Sequence, residues 1–332
     1  MIHPFLRFAG GKRWLAPVVD PLVSKNSLVV DPFVGSGGLI LPALEPKQPP
    51  LDSEKVLIIG DESPFIATMW QAMRENPYKL AASSVEQLAR AGHRDGYYEV
   101  RRELNDAIRS RHSGRRDIQS DGSGWRHSGR RDSQSDTARL NDTASSATSE
   151  ADVTIAIAAR FIAINRTCFK GLLRVNNHGE INVPYGHLAD PKLDVDALVT
   201  FGLAVQRSNV SIIEGGWEST LNAAIVYNRP GLIVIDPPYA GSTHTSFCAK
   251  QWTALDRIRL STLVRSFVED RGWTAAICDD ASTGAQDAWR WAGWSFMRRP
   301  RRMSDAQGRG GGGGDEIFAI VTSASDVTLP QC

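Results

Sequence analysis

The tetrapeptide Asp236-Pro237-Pro238-Tyr239 combines residue types that could do chemistry at one point of the chain. It follows an apolar run, and each proline disfavours a helical conformation at the residue before it, so a helix cannot begin at Asp236 or Pro237. In this rigid turn the carboxylate and one backbone carbonyl, which we assign to Pro237, could accept both N–H groups of a single amine, while the tyrosine ring stacks on a base. The exocyclic amine of adenine needs such help to attack a methyl sulfonium, because its lone pair is delocalised into the ring. The alternative is a strand-ending turn without a catalytic role.

A second candidate site is the glycine-rich turn Asp31-Pro32-Phe33-Val34-Gly35-Ser36-Gly37-Gly38, which precedes a predicted helix. Glycines allow the backbone to approach a ligand closely and to adopt positive φ angles. Asp61 ends the next apolar run, where an acid can bind the ribose hydroxyls of either NAD or S-adenosylmethionine. The turn lacks the G-x-G-x-x-G spacing, so on its own it leaves both cofactors open.

The N-terminal phrase Phe5-Leu6-Arg7-Phe8-Ala9-Gly10-Gly11-Lys12 ends like a phosphate-binding loop, but the G-x-x-x-x-G-K-[ST] spacing is absent and Arg13 follows the lysine. This excludes a P-loop ATPase. Taken alone, the phrase would be interpreted as a surface turn before a helix.

The elements that must position these residues are short apolar runs ending in acids. Such runs are typical of parallel strands covered by helices on both faces, whose carboxyl ends form the ligand-binding edge. They are Leu28 to Asp31, Val56 to Asp61, Leu232 to Asp236 and Ala275 to Asp279, with a last strand at Ile317 to Val321. Apolar positions at helical spacing from Leu255 to Val268 predict an intervening helix. The pattern predicts a doubly wound, mostly parallel α/β sheet.

Composition restricts the class of protein. The chain has 332 residues, a net charge of +1 and 42% hydrophobic residues, so no basic field over the whole molecule indicates a nucleic-acid partner. Its four cysteines form no CxxC pair, which argues against a zinc site or a disulfide framework. The sequence shows no signal peptide and no run of membrane-spanning length. We expect a soluble, cytoplasmic monomer that uses no metal and does not associate with membranes.

Two stretches interrupt the α/β pattern. Residues 107–150 are rich in Ser, Arg, Asp and Gly and contain the near-duplicates RHSGRRDIQSD and RHSGRRDSQSD, which begin at Arg111 and Arg126. So polar a segment cannot offset its ordering entropy, and we predict a disordered insertion. The stretch from Asp152 to Leu188 begins as an apolar helix and continues into residues that indicate a hairpin.

Together these motifs resemble the Dam-type DNA adenine methyltransferases, of the D12 class. FLRFAGGK (5–12) resembles the family phrase FLKWAGGK, with Phe8 in place of tryptophan, and DPFVGSG (31–37) resembles (E/D)PFxGxG. Residues 97–105 resemble YYxxRxxFN, residues 165–174 resemble NRxxFNGLxR, and residues 176–186 resemble NxxGxFNVPFG. Ser63 departs from the usual asparagine two positions after the ribose acid. The resemblance covers nearly the whole chain except the insertion.

The resemblance implies a Rossmann-like methyltransferase domain over residues 1–65 and 190–325, with an inserted, mainly helical DNA-recognition domain over residues 66–189. It implies S-adenosylmethionine as cofactor and double-stranded DNA as partner, with adenine N6 as target, base flipping, and GATC as the first-guess site. Asp236, Pro237, Pro238 and Tyr239 would be catalytic. The implied cofactor residues are Phe8, Ala9, Gly10, Gly11, Lys12, Asp31, Pro32, Phe33, Gly35, Ser36, Gly37, Asp61 and Asp236. The implied DNA contacts are Arg166, Lys170, Arg174, Asn176 and Asn177, although Arg and Lys also commonly hold phosphates only.

Two alternatives stay open at this point. One is a methyltransferase acting on another planar amine or amide, such as a protein glutamine, since the same turn geometry would serve. The other is a non-catalytic DNA-binding relative. The aspartate at position 236 and the recognition phrases argue against the first, and the intact catalytic and glycine motifs argue against the second.

Overall fold

The computed structural model describes residues 5–7, 12–45, 55–120, 149–239, 252–292, 297–304 and 310–323. Phe8, Ala9, Gly10 and Gly11 lie outside these residues, as do positions 121–148 of the predicted insertion. None of the helices in the described ranges is long and apolar enough to cross a membrane.

A seven-stranded sheet forms the centre of the described fold, in the order β3-β2-β1-β4-β5-β7-β6. The first five strands in this order are parallel, and β7 and β6 are added antiparallel. This confirms the predicted mostly parallel α/β sheet. The strands are β1 (Leu28–Asp31), β2 (Val56–Asp61), β3 (Asn209–Glu214), β4 (Leu232–Ile235), β5 (Thr274–Asp280), β6 (Met297–Ser304) and β7 (Gly310–Val321).

Helices cover both faces of the sheet. They are α1 (Ala16–Lys25), α2 (Leu41–Leu44), α3 (Pro64–Glu75), α4 (Pro77–Ala91), α5 (Arg94–Ser120), α6 (Glu150–Thr167), α7 (Val195–Arg207), α8 (Trp217–Ala224), α9 (Ala254–Arg271) and α10 (Thr283–Trp289). Short 3-10 turns occur at Arg13–Leu15, Phe169–Gly171 and Arg290–Ala292. The helix predicted from Leu255 is α9, although Leu255 and Ile258 are exposed and Leu260 is buried in their place.

Successive side chains of a strand point to opposite faces of the sheet, and each face packs against its own hydrophobic core. In β1, Val29 packs with the core that includes helices α1 and α3–α7, whereas Leu28 and Val30 pack with α8, α9 and α10. The helices of residues 66–189 therefore share one apolar cluster with strands β1 and β2. The division of the chain into two domains stays a prediction.

The prediction of a disordered insertion is wrong for its first residues. Helix α5 continues to Ser120, so the first part of the predicted disordered insertion is helical. The reason is that the apolar face of the helix continues past position 107 with the buried Ile108, and Arg111 bonds to the body of the protein. The glycines Gly310–Gly314 belong to β7, because pairing with β6 uses backbone groups and needs no side chain.

Candidate active site

The carboxyl ends of the parallel strands bring the predicted acidic residues to one edge of the sheet. Asp31 and Asp61 end the adjacent strands β1 and β2, and Asp236 follows β4, which pairs with β1 on its other side. Pro237 is buried and Pro238 is exposed, so the turn leaves the sheet immediately. The predicted catalytic and cofactor acids therefore share this edge.

Lys12 connects the N-terminal phrase to this edge. Its ammonium lies 3.2 Å from Asp236 Oδ2 and 3.4 Å from Glu316 Oε1, and the residue is only 5% exposed. Burial lowers the pKa of Lys12, but the surrounding negative groups, Asp236 above all, outweigh burial and raise it above its ordinary value. The lysine is therefore a fixed cation. Burial raises the pKa of Asp236, and Lys12 acts in the opposite direction.

Tyr239 points its hydroxyl into the same cluster. The oxygen lies 3.0 Å from Glu316 Oε1, 3.3 Å from Asp236 Oδ1 and 3.8 Å from Cys278 Sγ, while Lys12 Nζ sits 5.1 Å from the ring centroid. Burial and the neighbouring acids raise the pKa of the Tyr239 phenol, and burial raises that of the Cys278 thiol, so both groups keep their protons.

Glu316 and Cys278 are two members of this cluster that the sequence interpretation missed. Because β7 is antiparallel, its residues before the final apolar run lie beside the carboxyl ends of the parallel strands, and Glu316 pairs with Asp280. The available signal was the acid directly preceding Ile317, which marks the opposite end of an antiparallel strand.

The glycine-rich turn is held by the two strand-end aspartates. Asp61 accepts hydrogen bonds from the backbone N–H groups of Gly35 (3.0 Å) and Ser63 (2.9 Å), and Asp31 accepts one from Phe33 (3.0 Å). Burial raises the pKa of Asp31 to about 8 and that of Asp61 to about 6, although these N–H donors act in the opposite direction.

The turn shows why glycine is needed at one position. Gly37 has a φ of +79°, and a Cβ there would lie 2.7 Å from the ring of the buried Trp70, whose Nε1 donates to the Gly35 carbonyl. Pro32 is buried, and Phe33 and Ser36 are partly buried in the same turn. Only a glycine fits this strained and crowded backbone.

Trp252 adds an aromatic contact to the turn that the sequence interpretation did not use. It packs edge-to-face on Phe33 with ring centroids 5.6 Å apart, and its buried Nε1 has no hydrogen-bond partner among the residues that the structure describes. A buried donor without a partner is costly, and a bound polar ligand could satisfy it. Within the described part of the chain, no group of His, Cys, Asp or Glu residues could hold a metal ion.

The predicted recognition segment forms a hairpin supported by one face of α5. Isolated bridges pair Cys168 with Tyr185 and Val175 with Ile181, which confirms the predicted hairpin. Every fourth residue of α5, from Tyr97 to Arg109, bonds to the second arm of the hairpin, residues 180–183. Tyr97 and Arg101 donate to the Val183 carbonyl. Asn105 bonds both backbone groups of Ile181, and Arg109 pairs with Glu180. Residues spaced by four share one helix face, so one helix fixes the hairpin backbone.

The five candidate DNA contacts differ in how the protein itself uses them. Arg166 donates to the carbonyls of Lys192 and Phe5, and Asn176 closes the hairpin turn by accepting from the N–H groups of His178 and Glu180. Arg174 and Asn177 are exposed, whereas Lys170 is partly buried, with its ammonium 5.6 Å from the Phe169 ring centroid.

Asn165 joins this hairpin region to the N-terminal segment. Its buried amide bonds both the backbone N–H and the carbonyl of Arg7, at 2.9 and 2.8 Å. The end of α6 is therefore fixed to the segment that leads to Lys12.

Comparison with known proteins supports one family over most of this chain. The chain is 24% identical to the type II methyltransferase M1.LlaDCHI of Lactococcus lactis subsp. cremoris, over 87% of this chain and 85% of the relative. It is 24% identical to the type II methyltransferase M.MjaIII of Methanocaldococcus jannaschii, over 82% of both chains. It is 23% identical to a DNA adenine methylase of Vibrio cholerae, over 96% of this chain and 95% of the relative. The family described as D12 class N6 adenine-specific DNA methyltransferase matches residues 8–289, and the chain therefore belongs to that family.

Proposed function

We propose that this protein transfers a methyl group from S-adenosylmethionine to N6 of a flipped adenine in double-stranded DNA, at a specific site. The observation that carries the proposal is the position of Asp236. Its carboxylate lies at the carboxyl edge of the sheet, beside the glycine-rich turn, and Lys12 holds its Oδ2 atom. Methyl transfer to an amine requires an acceptor that orients the amine beside the bound cofactor, and a fixed carboxylate next to the glycine-rich turn provides this arrangement.

The residues of the turn fit the proposed cofactor. Asp61 uses its oxygens to hold the turn and keeps lone pairs that can accept from ribose hydroxyls, while the backbone around Gly37 permits close approach. Trp252 Nε1, which has no hydrogen-bond partner in the described part of the chain, offers a donor beside Phe33 at the same site. When bound, S-adenosylmethionine supplies a methyl group activated by a sulfonium.

Asp236 and the turn that follows orient the acceptor. Oδ1 of Asp236 accepts one N–H of the adenine amine and the Pro237 carbonyl accepts the other, so that the nitrogen lone pair points toward the methyl group. The Tyr239 ring stacks on the extruded base. Because Lys12 occupies Oδ2, the carboxylate cannot rotate freely, and orientation of the reacting amine is its main contribution.

The hairpin supported by α5 is the proposed DNA-reading element. Of the candidate contacts, we assign base or phosphate contacts first to the exposed Arg174 and Asn177, with Lys170 beside them. Arg166 and Asn176 shape the hairpin region through their bonds to backbone groups. We keep GATC as the first site to test.

The experiment is transfer of a tritiated methyl group from labelled S-adenosylmethionine to a plasmid, followed by nucleoside analysis and digestion with nucleases sensitive to adenine methylation. We expect N6-methyladenine confined to one short sequence. Label in protein instead of DNA would indicate an amide substrate. DNA binding without transfer would indicate a non-catalytic relative, and either result would overturn the proposal. Protection at a sequence other than GATC would correct only the site.

A further inference from the structure

We propose that Glu316 is a positioning residue that accepts the hydrogen bond donated by the Tyr239 hydroxyl, and so keeps Asp236 Oδ1 open for the substrate amine. This inference rests on the proposed function, since it assigns Oδ1 to the amine. The Tyr239 hydroxyl has one proton to donate, and two carboxylates, those of Asp236 and Glu316, lie near enough to accept it.

The distances decide between the two acceptors. The hydroxyl oxygen is 3.0 Å from Glu316 Oε1 and 3.3 Å from Asp236 Oδ1. Hydrogen bonds between a hydroxyl and an oxygen acceptor usually span about 2.5–3.0 Å, so only the contact with Glu316 falls within that range. The proton therefore lies toward Glu316.

Two further neighbours support this arrangement. The Cys278 thiol keeps its proton, lies 3.8 Å from the Tyr239 oxygen and can donate to it, which leaves the tyrosine proton for a carboxylate. Lys12 contacts both carboxylates and so holds Glu316 at its distance from Tyr239 while it occupies Asp236 Oδ2. Asp236 Oδ1 is then the catalytic oxygen that these contacts leave for a substrate.

Replacing Glu316 by glutamine should redirect the tyrosine proton. An amide oxygen is a weaker acceptor than a carboxylate, so the hydroxyl would turn to Asp236 Oδ1 and compete with the substrate amine. We expect Glu316→Gln to lower kcat about tenfold, because one charge-assisted hydrogen bond now opposes the reacting geometry. The KM for the cofactor should change little.

The decisive variant is the double substitution Glu316→Gln with Tyr239→Phe. Phenylalanine removes the competing proton, so in this background Glu316→Gln should have little further effect on kcat. A merely structural role of Glu316 would give the same loss in both backgrounds, and that result would overturn the proposal. Asp315→Asn is the matched charge control, because adjacent strand residues point to opposite faces; it should leave kcat near that of the unaltered protein.

A second measurement needs neither DNA nor cofactor. The chain has six tyrosines, so ¹³Cζ-labelled tyrosine gives few resonances, and Tyr239→Phe identifies the one of interest. Glu316→Gln should shift this resonance more than Asp236→Asn does, and the opposite order would overturn the proposal. If Glu316→Gln does not fold, Glu316→Asp, which withdraws the carboxylate from the hydroxyl, replaces it in the same comparison with Asp236→Asn, and the same order of shifts decides. If the unaltered protein methylates no adenine, the proposed function fails, while this measurement still tests the contact.

Discussion

The proposed catalytic edge (Lys12, Asp236, Tyr239 and Glu316) and the proposed recognition hairpin (residues 168–185) are built in opposite ways. At the proposed catalytic edge, side chains from separate parts of the chain contact one another, as in the contacts of Lys12 with Asp236 and Glu316. In the hairpin, side chains of α5 instead bond to backbone groups, as Asn105 does with Ile181. The proposed chemistry at the edge depends on which side chains are present. The conformation of the hairpin depends instead on the α5 side chains that bond to its backbone.

This difference predicts that the two regions can be damaged separately. The buried charges of the catalytic edge interact over short distances, so a single substitution there should remove a chemical step and leave DNA binding intact. A substitution on the supporting face of α5 should disturb DNA binding and leave the cofactor site intact.

The largest effect is expected at Asp236. Asp236→Ala should lower kcat by at least ~10²-fold, by analogy with the loss of one positioned group in other active sites. The side chain lies after the end of β4 and is 25% exposed, so its removal leaves no large cavity. Single-turnover methylation with circular dichroism as the folding control measures this, and a folded variant with near-normal turnover would contradict the proposed mechanism.

The second prediction tests the support of the hairpin. Asn105→Ala leaves the N–H and carbonyl of the buried Ile181 without their partner, a loss of about 1–3 kcal/mol for each unsatisfied group. We expect DNA binding to weaken at least about tenfold, because about 1.4 kcal/mol of lost binding free energy corresponds to a factor of ten in affinity. The affinity for the cofactor should not change. Fluorescence anisotropy and calorimetry measure the two. Glu99→Ala, at an exposed position of the same helix that makes none of the bonds to the hairpin given above, is the control. Equal losses of both affinities would show that the regions are not separable.

The same difference explains what the sequence could predict. The bounds of β1 and β2 followed from apolar runs that end in acids, and the turn at Asp236 followed from its prolines. The edge strand β3 escaped prediction because it is mostly half-buried and gives no continuous apolar run. Glu316 was missed because its place depends on the antiparallel pairing of β7, and Asn105 because its partner is a distant backbone group. Contacts made by pairing or with backbone groups leave no local pattern.

A smaller effect is expected when Asp61 titrates. Burial raises its pKa to about 6, so the carboxylate that would accept from the ribose is lost as pH falls from 7 to 5. Cofactor affinity measured by calorimetry should therefore decrease over this interval. Asp61→Asn should bind about tenfold more weakly at pH 7, since a charge-assisted hydrogen bond is lost, and should lack this dependence. Asp31, whose pKa is about 8, sets any remaining slope near neutral pH. An unchanged slope in Asp61→Asn would contradict the assignment.

The smallest effect on methylation is expected at Arg111, where the duplicated phrase begins. Arg111 donates to Thr68 (2.7 Å) and Gln71 (2.8 Å) and lies 3.7 Å from Glu214, at the end of β3 beside Asp61. Arg111→Ala should lower the Tm by about 2–4 °C, the usual shift for about 1 kcal/mol in a domain of this class. Kinetics should change little, because these contacts lie between α5 and the body of the protein.

Deletion variants extend this test to the rest of the repeat. Deleting residues 121–148, which keeps Arg111, should leave the Tm and the methylated sequence unchanged and at most make the salt dependence of DNA binding shallower. Deleting residues 110–149 also removes Arg111 and should lower the Tm at least as much as Arg111→Ala does. The second copy begins at Arg126, so it is lost in both deletions and cannot replace Arg111. If the shorter deletion changed the methylated sequence, the repeat would be part of the recognition surface, and recognition would not depend on the hairpin alone.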